Sequence, residues 1–146
     1  MTKFALIAHY QYYENYAVHD GGECWKAKGG HEEVIKESLT LDEVQKLGMT
    51  GLTRLVEESK YGMHYSNEAA SWDLINWHLT ELSDHTVENV FEQLKSGGLL
   101  YLDCACLDYE SEFAFNWALE KLKEQGRVVI KGKPGINETI CVCEPS

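Results

Sequence analysis

The sequence lacks any apolar run of the length that a membrane helix needs. A helix that crosses a bilayer requires about 20 consecutive, mostly apolar residues, and no stretch of this 146-residue chain approaches that length. The first residues, MTKFALIAHY, also have too short an apolar segment for a secretory leader, and no small-residue cleavage site follows them. We therefore expect a protein of the cytoplasm that has no membrane partner.

Basic residues are also scarce, with 13 Lys and Arg against 24 Asp and Glu and a net charge of -11. A groove for a nucleic-acid backbone needs a basic stripe, and none is present, so we expect no direct binding of long nucleic acid. The acids concentrate in the middle: residues 81–124 carry ten acids and three bases, whereas residues 1–30 carry three of each. The predicted acidic partner surface consists of Glu110, Glu112, Glu120 and Glu124.

The common motifs of metal and nucleotide sites are missing. No HxxxH, HxH or HExxH spacing links the six histidines, and the glycine pairs match neither GxxxxGK[ST] nor GxGxxG. Two Cys-x-Cys pairs, Cys104/Cys106 and Cys141/Cys143, fall in strand-like runs. Structural zinc sites use Cys-x2–4-Cys turns that wrap the metal, so we interpret these cysteines as reduced core residues. We expect no metal and no cofactor.

Apolar periodicity predicts a single α+β domain over residues 1–146, with a mixed or antiparallel sheet and two to three helices packed on it. Residues 14–30 are predicted to be a loop because two glycine pairs interrupt them. Thr40 and the acids after it predict a helix start, and an interruption near Gly48-Met49-Thr50-Gly51 predicts one bent helix or two short ones. The order ββαβαβαββ places strands at residues 3–13, 31–39, 71–82, 99–107, 127–131 and 139–143, helices at 40–56, 84–95 and 108–125, and core tryptophans at Trp72, Trp77 and Trp117.

Residues 9–30, HYQYYENYAVHDGGECWKAKGG, form an aromatic run that combines Tyr, Trp, His and Gly unusually densely. Tyr and Trp rings have a large apolar face and a polar tip, which suits ligand sites and partner surfaces. Stacking faces, lysines and glycine amides would equally suit a small nucleotide. A tyrosine-rich strand that packs on its own helix is the structural alternative. The predicted binding residues are Tyr10, Tyr12, Tyr13, Tyr16, His19, Asp20, Trp25, Lys26 and Lys28.

Three parts of the aromatic run carry a family resemblance. The segments YYENY at residues 12–16, HD at residues 19–20 and WKAKGG at residues 25–30 resemble the N-terminal parts of a group of small uncharacterised bacteriophage proteins. The resemblance covers about the first 30 residues. It implies a phage accessory protein inside the host cell, and the usual targets of such proteins are host enzymes or host defences.

Three functional hypotheses follow. The first is inhibition of a host protein, in which the acidic surface and the aromatic run contact a basic partner and electrostatic steering speeds the encounter. The second is binding of a small nucleotide, such as a defence signal that the protein sequesters. A hydrolase that uses His19 as base and Asp20 as its orienting carboxylate ranks third, because a lone HD pair is a weak signal. Self-association into a homo-oligomer is left open.

Overall fold

The structure, a computed structural model, describes residues 2–17, 23–96, 111–132 and 139–143. These residues contain three helices and six strands, in an antiparallel four-stranded sheet and a smaller two-stranded sheet. The predicted α+β class is therefore confirmed, as is an antiparallel sheet. The chain forms two compact units, Lys3–Thr80 and Glu81–Ser146 with Met1–Thr2, which are described separately.

The unit Lys3–Thr80 is built on four strands and one helix. The strands are β1 (Lys3–Ala17), β2 (Glu23–Leu39), β3 (His64–Ser66) and β4 (Ala70–Leu82), in the spatial order β2-β1-β4-β3, and the helix is α1 (Leu41–Glu57). Strand β1 is thus central, while β2 and β3 form the two edges. The short strand β3 is not among the strands predicted above.

The predicted loop is wrong for residues 14–17 and 23–30, because β1 continues to Ala17 and β2 begins at Glu23. Tyr and Trp favour strands, and the end of β1 pairs with the start of β2. In this pairing, Tyr13 lies opposite Ala27 and Asn15 lies opposite Trp25. Gly29 has a φ of 111° beside the register shift between Tyr12 and Tyr13. The glycine therefore accommodates a bulge instead of ending the strand.

Helix α1 covers one face of this sheet. Side chains two residues apart on β1, Leu6, Ala8 and Tyr10, are fully buried and pack with Leu52 and Val56 of α1. The intervening residues Ala5 and Ile7, whose side chains lie on the opposite face of β1, are also fully buried, so this part of the strand is buried on both faces. Two of the predicted core tryptophans also pack against this cluster, although they are only partly buried: Trp72 and Trp77.

Helix α1 begins and bends where the sequence predicts. The Thr40 hydroxyl accepts a hydrogen bond from the Glu43 amide at 3.1 Å, and the Glu43 carboxylate accepts one from the Thr40 amide at 3.1 Å. This capping box satisfies backbone donors that the first turn leaves unpaired. Gly48 adopts a φ of 63° and a ψ of -175°, which divides α1 into two helical segments.

The second unit packs two helices on the small sheet. Helices α2 (Asp84–Lys95) and α3 (Glu112–Glu124) lie with strands β5 (Val128–Lys131) and β6 (Thr139–Val142), which pair antiparallel. Their shared core includes Phe91, Leu122 and Val128, and Trp117 packs against it while partly buried. The helices of this unit therefore pack on the smaller of the two sheets.

The start of α3 differs from the sequence prediction, and one predicted strand of this region cannot be compared with the structure. Helix α3 begins at Glu112 and not at residue 108, because the Ser111 hydroxyl caps it by accepting from the Ala114 amide at 3.2 Å. The predicted strand at residues 99–107, with Cys104 and Cys106, lies outside the described residues. Cys141 and Cys143 are free thiols of intermediate burial.

An arginine joins α2 to the start of β5. The Arg127 guanidinium lies 3.9 Å from the centre of the Phe91 ring and binds Glu88 with both terminal nitrogens, one of them at 3.0 Å. The hydrogen bonds from Arg127 lower the pKa of Glu88.

In the part of the chain that the structure describes, none of the helices has the length and apolar character that a membrane span requires.

The capping box predicts a pH-dependent contribution of Glu43 to stability. Hydrogen bonds from the backbone and side chain of Thr40 lower the pKa of Glu43 below its ordinary 4.5 in the folded state. The stabilisation is therefore present above pH 4.5 and is lost as the pH falls through the folded pKa. Urea unfolding at pH 7 and pH 3 should show that Glu43→Gln is destabilising only at pH 7.

Variants of the cap residue provide the control for that measurement. Thr40→Ser keeps the accepting hydroxyl and should change the free energy of unfolding little, whereas Thr40→Ala should cost about 1 kcal/mol. A Glu43→Gln effect of the same size at both pH values would show that the carboxylate charge does not contribute through the cap.

Candidate functional site

The alternation of β1 divides the aromatic run between the two faces of the sheet. Tyr10 and Tyr12 follow Leu6 and Ala8 on the face that carries α1, and Tyr13 lies on the opposite face. Tyr10 has no exposed surface, and its hydroxyl donates to the Gly62 carbonyl at 2.8 Å. Burial raises the pKa of Tyr10. The predicted role of Tyr10 in binding is therefore corrected: this ring belongs to the core.

Tyr12 belongs to an aromatic cluster on the α1 face, next to the core. The ring of Tyr61 stacks on that of Trp72 with centroids 4.5 Å apart, and the Tyr12 ring tilts against Trp72 at 5.2 Å. The centroid of the Tyr65 ring lies 5.5 Å from the centroids of Tyr61 and Trp72. His31 adds an edge contact to Tyr61 at 5.6 Å. Such ring pairs add to the stability that burial provides. This half of the aromatic run thus matches the structural alternative, a strand packing within its own unit.

The opposite face carries an open depression to which all four strands contribute. Its volume is about 370 Å³. Trp25 comes from the edge strand β2 and keeps 41% of its surface exposed. We call this site the strand-face depression, and its lining residues are Tyr13, Trp25, His64, Ser66, Ser71 and Asp73.

A tight turn places four polar lining residues side by side. The Asn67 side-chain oxygen accepts from the amides of Ala69 and Ala70, both at 2.8 Å, which is the local bonding by which Asn favours turns. The turn fixes the register of β3 against β4. As a result His64 lies opposite Asp73, and Ser66 lies opposite Ser71.

His64 and Asp73 form a hydrogen-bonded pair, between Nδ1 and Oδ1. Because an ionised carboxylate only accepts, His64 Nδ1 is the donor in this pair. The side chains are 58% and 48% exposed, so the pair is solvated and contributes little to stability. The described residues hold no group of three or more His, Cys, Asp or Glu that would bind a metal ion.

The other predicted residues of the aromatic run are dispersed or lie outside the description. Lys26 is exposed and lies opposite Glu14 in the β1–β2 register, and the Lys28 ammonium is 4.0 Å from the Glu14 carboxylate. The negative charge of Glu14 lies next to both lysines, and it would repel a phosphate group that approached them. The backbone of Tyr16 pairs with that of Cys24. Outside the described residues lie His19 and Asp20.

The predicted acidic surface is exposed on α3, as far as the structure describes it. Glu112, Glu120 and Glu124 are all exposed, and Glu110 lies outside the described residues. Glu124 lies 3.7 Å from Lys121, one turn earlier. The helix carries three acids and two bases, so its negative charge is smaller than the composition of residues 81–124 suggests.

Sequence reasoning missed four of the six lining residues, namely His64, Ser66, Ser71 and Asp73. A signal for them exists. The segments His64-Tyr65-Ser66 and Ser71-Trp72-Asp73 both alternate polar and aromatic residues around a central ring, and they flank a turn-forming Asn. Read as a hairpin, this pattern directs both rings to one face and all four polar side chains to the other.

The chain matches no protein-family model, and no curated protein and no solved structure matches it.

The division of the aromatic run predicts opposite responses to substitution. Tyr10→Phe removes the hydroxyl that donates to the Gly62 carbonyl, and we expect a loss of about 1 kcal/mol in the free energy of unfolding. Trp25→Ala removes a ring on the exposed face, and we expect a change within about 0.5 kcal/mol. Chemical denaturation of both variants measures this difference. A Trp25→Ala loss as large as that of Tyr10→Phe would place Trp25 in the core.

Proposed function

We propose that the protein acts by binding and not by catalysis, as a phage accessory protein that inhibits a host protein in the host cytoplasm. The observation that carries this proposal is the exposed Trp25 ring in a depression built from all four strands. Exposed aromatic rings surrounded by polar groups have the composition of binding hot spots. The N-terminal resemblance to small phage proteins supports the setting.

The shape of the strand-face depression favours a protein partner over a small nucleotide. Small-molecule sites enclose 70–90% or more of a ligand in a cleft of about 300–1,000 Å³. This depression lies near the lower end of that range and is open on a sheet face. The lysines proposed for phosphate, Lys26 and Lys28, have Glu14 as a neighbour. Nucleotide binding is therefore the less supported alternative.

The acidic α3 surface supports a partner with a basic surface. Its three described glutamates, Glu112, Glu120 and Glu124, lie exposed on one helix. Opposite charges on two partners mainly raise the association rate and set specificity. In this proposal the strand-face depression anchors the partner, while the acidic surface speeds the encounter.

Substitution of Trp25 tests the anchor. Wild-type protein and Trp25→Ala would be used as baits in host lysate, and the captured proteins would be identified and quantified by mass spectrometry. We expect Trp25→Ala to lose the partner and to lose activity in a phage-infection assay while its melting temperature stays close to that of the wild type. Met49→Ala is the matched control, because Met49 is an exposed apolar residue on α1. A partner retained by Trp25→Ala would overturn the proposal.

Charge reversal tests the steering. Changing Glu112, Glu120 and Glu124 together to Lys should slow association with that partner and leave the dissociation rate nearly unchanged. Added salt should slow the wild-type association as well, since the screening length is about 8 Å at physiological ionic strength. Surface plasmon resonance at two salt concentrations measures both effects. Association that ignores charge and salt would remove the acidic surface from the mechanism.

A further inference from the structure

We infer that the strand-face depression receives an arginine side chain of the partner, an inference that rests on the proposed function. The depression brings two aromatic rings, one carboxylate and two hydroxyls onto a single sheet face. Each group is of a type that binds a guanidinium, and none of the six lining residues is a Lys or Arg that would repel it.

The rings supply a stacking surface. Tyr13 on β1 and Trp25 on β2 lie on neighbouring strands and both line the depression. Trp attracts a cation over its face more strongly than the other aromatic side chains, and Arg also stacks its planar group on the ring. The 41% exposure of Trp25 leaves surface for such a contact.

The carboxylate supplies the charge. Asp73 is bound by His64 through Oδ1, and a carboxylate has two oxygens with further acceptor capacity. The hydroxyls of Ser66 and Ser71 add acceptors on the same face. The half-exposed Asp73 is thus a charged acceptor held in place by a neighbour.

Arginine fits this set better than lysine does. Its five N–H donors lie in one plane, so the group can face an aromatic ring while its edge donates to a carboxylate and a hydroxyl. A lysine ammonium is a strongly hydrated point charge and cannot stack in this way. An arginine-bearing partner also agrees with the net charge of -11 and with a basic partner surface.

Titration with a small probe tests this inference directly. The probe is N-acetyl-arginine-N-methylamide, and the comparison compound is its citrulline analogue, which has the same shape without the charge. The indole N–H signal of Trp25, assigned with Trp25→Phe, would be followed by NMR. We expect a saturable shift with the arginine probe and about tenfold or more weaker binding of the citrulline compound. No shift, or equal binding of both compounds, would overturn the inference.

Two variants separate the charge of Asp73 from its hydrogen bond to His64. Asp73→Asn removes the charge and should weaken binding of the probe about tenfold or more. His64→Gln removes the imidazole but keeps the carboxylate and a side-chain N–H donor, so it should weaken binding less than Asp73→Asn does. Unchanged backbone spectra would show that both variants fold. Retained binding in Asp73→Asn, or lost binding in a folded His64→Gln variant, would overturn the assignment of Asp73.

The captured partner distinguishes this inference from the proposed function. If Trp25→Ala loses the partner but Asp73→Asn retains it, the strand-face depression is a protein-binding site and the arginine inference fails. If both variants lose the partner while Met49→Ala retains it, both statements stand. If Trp25→Ala and Asp73→Asn both retain the partner, the proposed function itself fails.

Discussion

The two-residue alternation of the central strand β1 is the constraint on which the rest of the unit Lys3–Thr80 depends. Strand β1 pairs with β2 on one side and lies next to β4 on the other, so its side chains alternate between the two faces of the sheet. On the α1 face, the alternate side chains from Leu6 to Tyr12 contact the core and the aromatic cluster. On the opposite face, Tyr13 lines the strand-face depression. One strand therefore supplies both the core and the candidate site.

Both faces of the sheet carry Tyr and Trp rings, but the surroundings of these rings differ between the two faces. On the α1 face, Tyr61, Trp72 and Tyr12 contact one another, and Tyr10 satisfies its hydroxyl internally. On the other face, Trp25 keeps much of its ring exposed beside polar side chains. Rings that contact one another stabilise the fold, whereas an exposed ring has contact area to give to a partner. Composition alone does not distinguish these cases.

The surroundings of the His64–Asp73 pair support the proposed binding function over a catalytic one. An imidazole oriented by a carboxylate is a general-base arrangement, and the sequence suggests the same pairing for His19 and Asp20. In the structure the described pair is half exposed and lies on an open sheet face. Catalytic electrostatics depend on excluding water, which such a face does not do. In the proposed function, Asp73 is a charged acceptor for the partner and takes no part in catalysis.

The local features of this protein can be predicted from short stretches of sequence. Thr40 and Glu43 specify the start of α1, Gly48 specifies its bend, and periodicity specifies the α+β class, because each depends on residues within a few positions. That residues 14–17 and 23–30 are strands depends on pairing between residues far apart in the sequence, so it is visible only in the folded chain. The tertiary structure also decided that Tyr10 and Trp25 differ in role and that His64 meets Asp73. Those outcomes depend on sheet register and on which face α1 covers, which no local window of sequence contains.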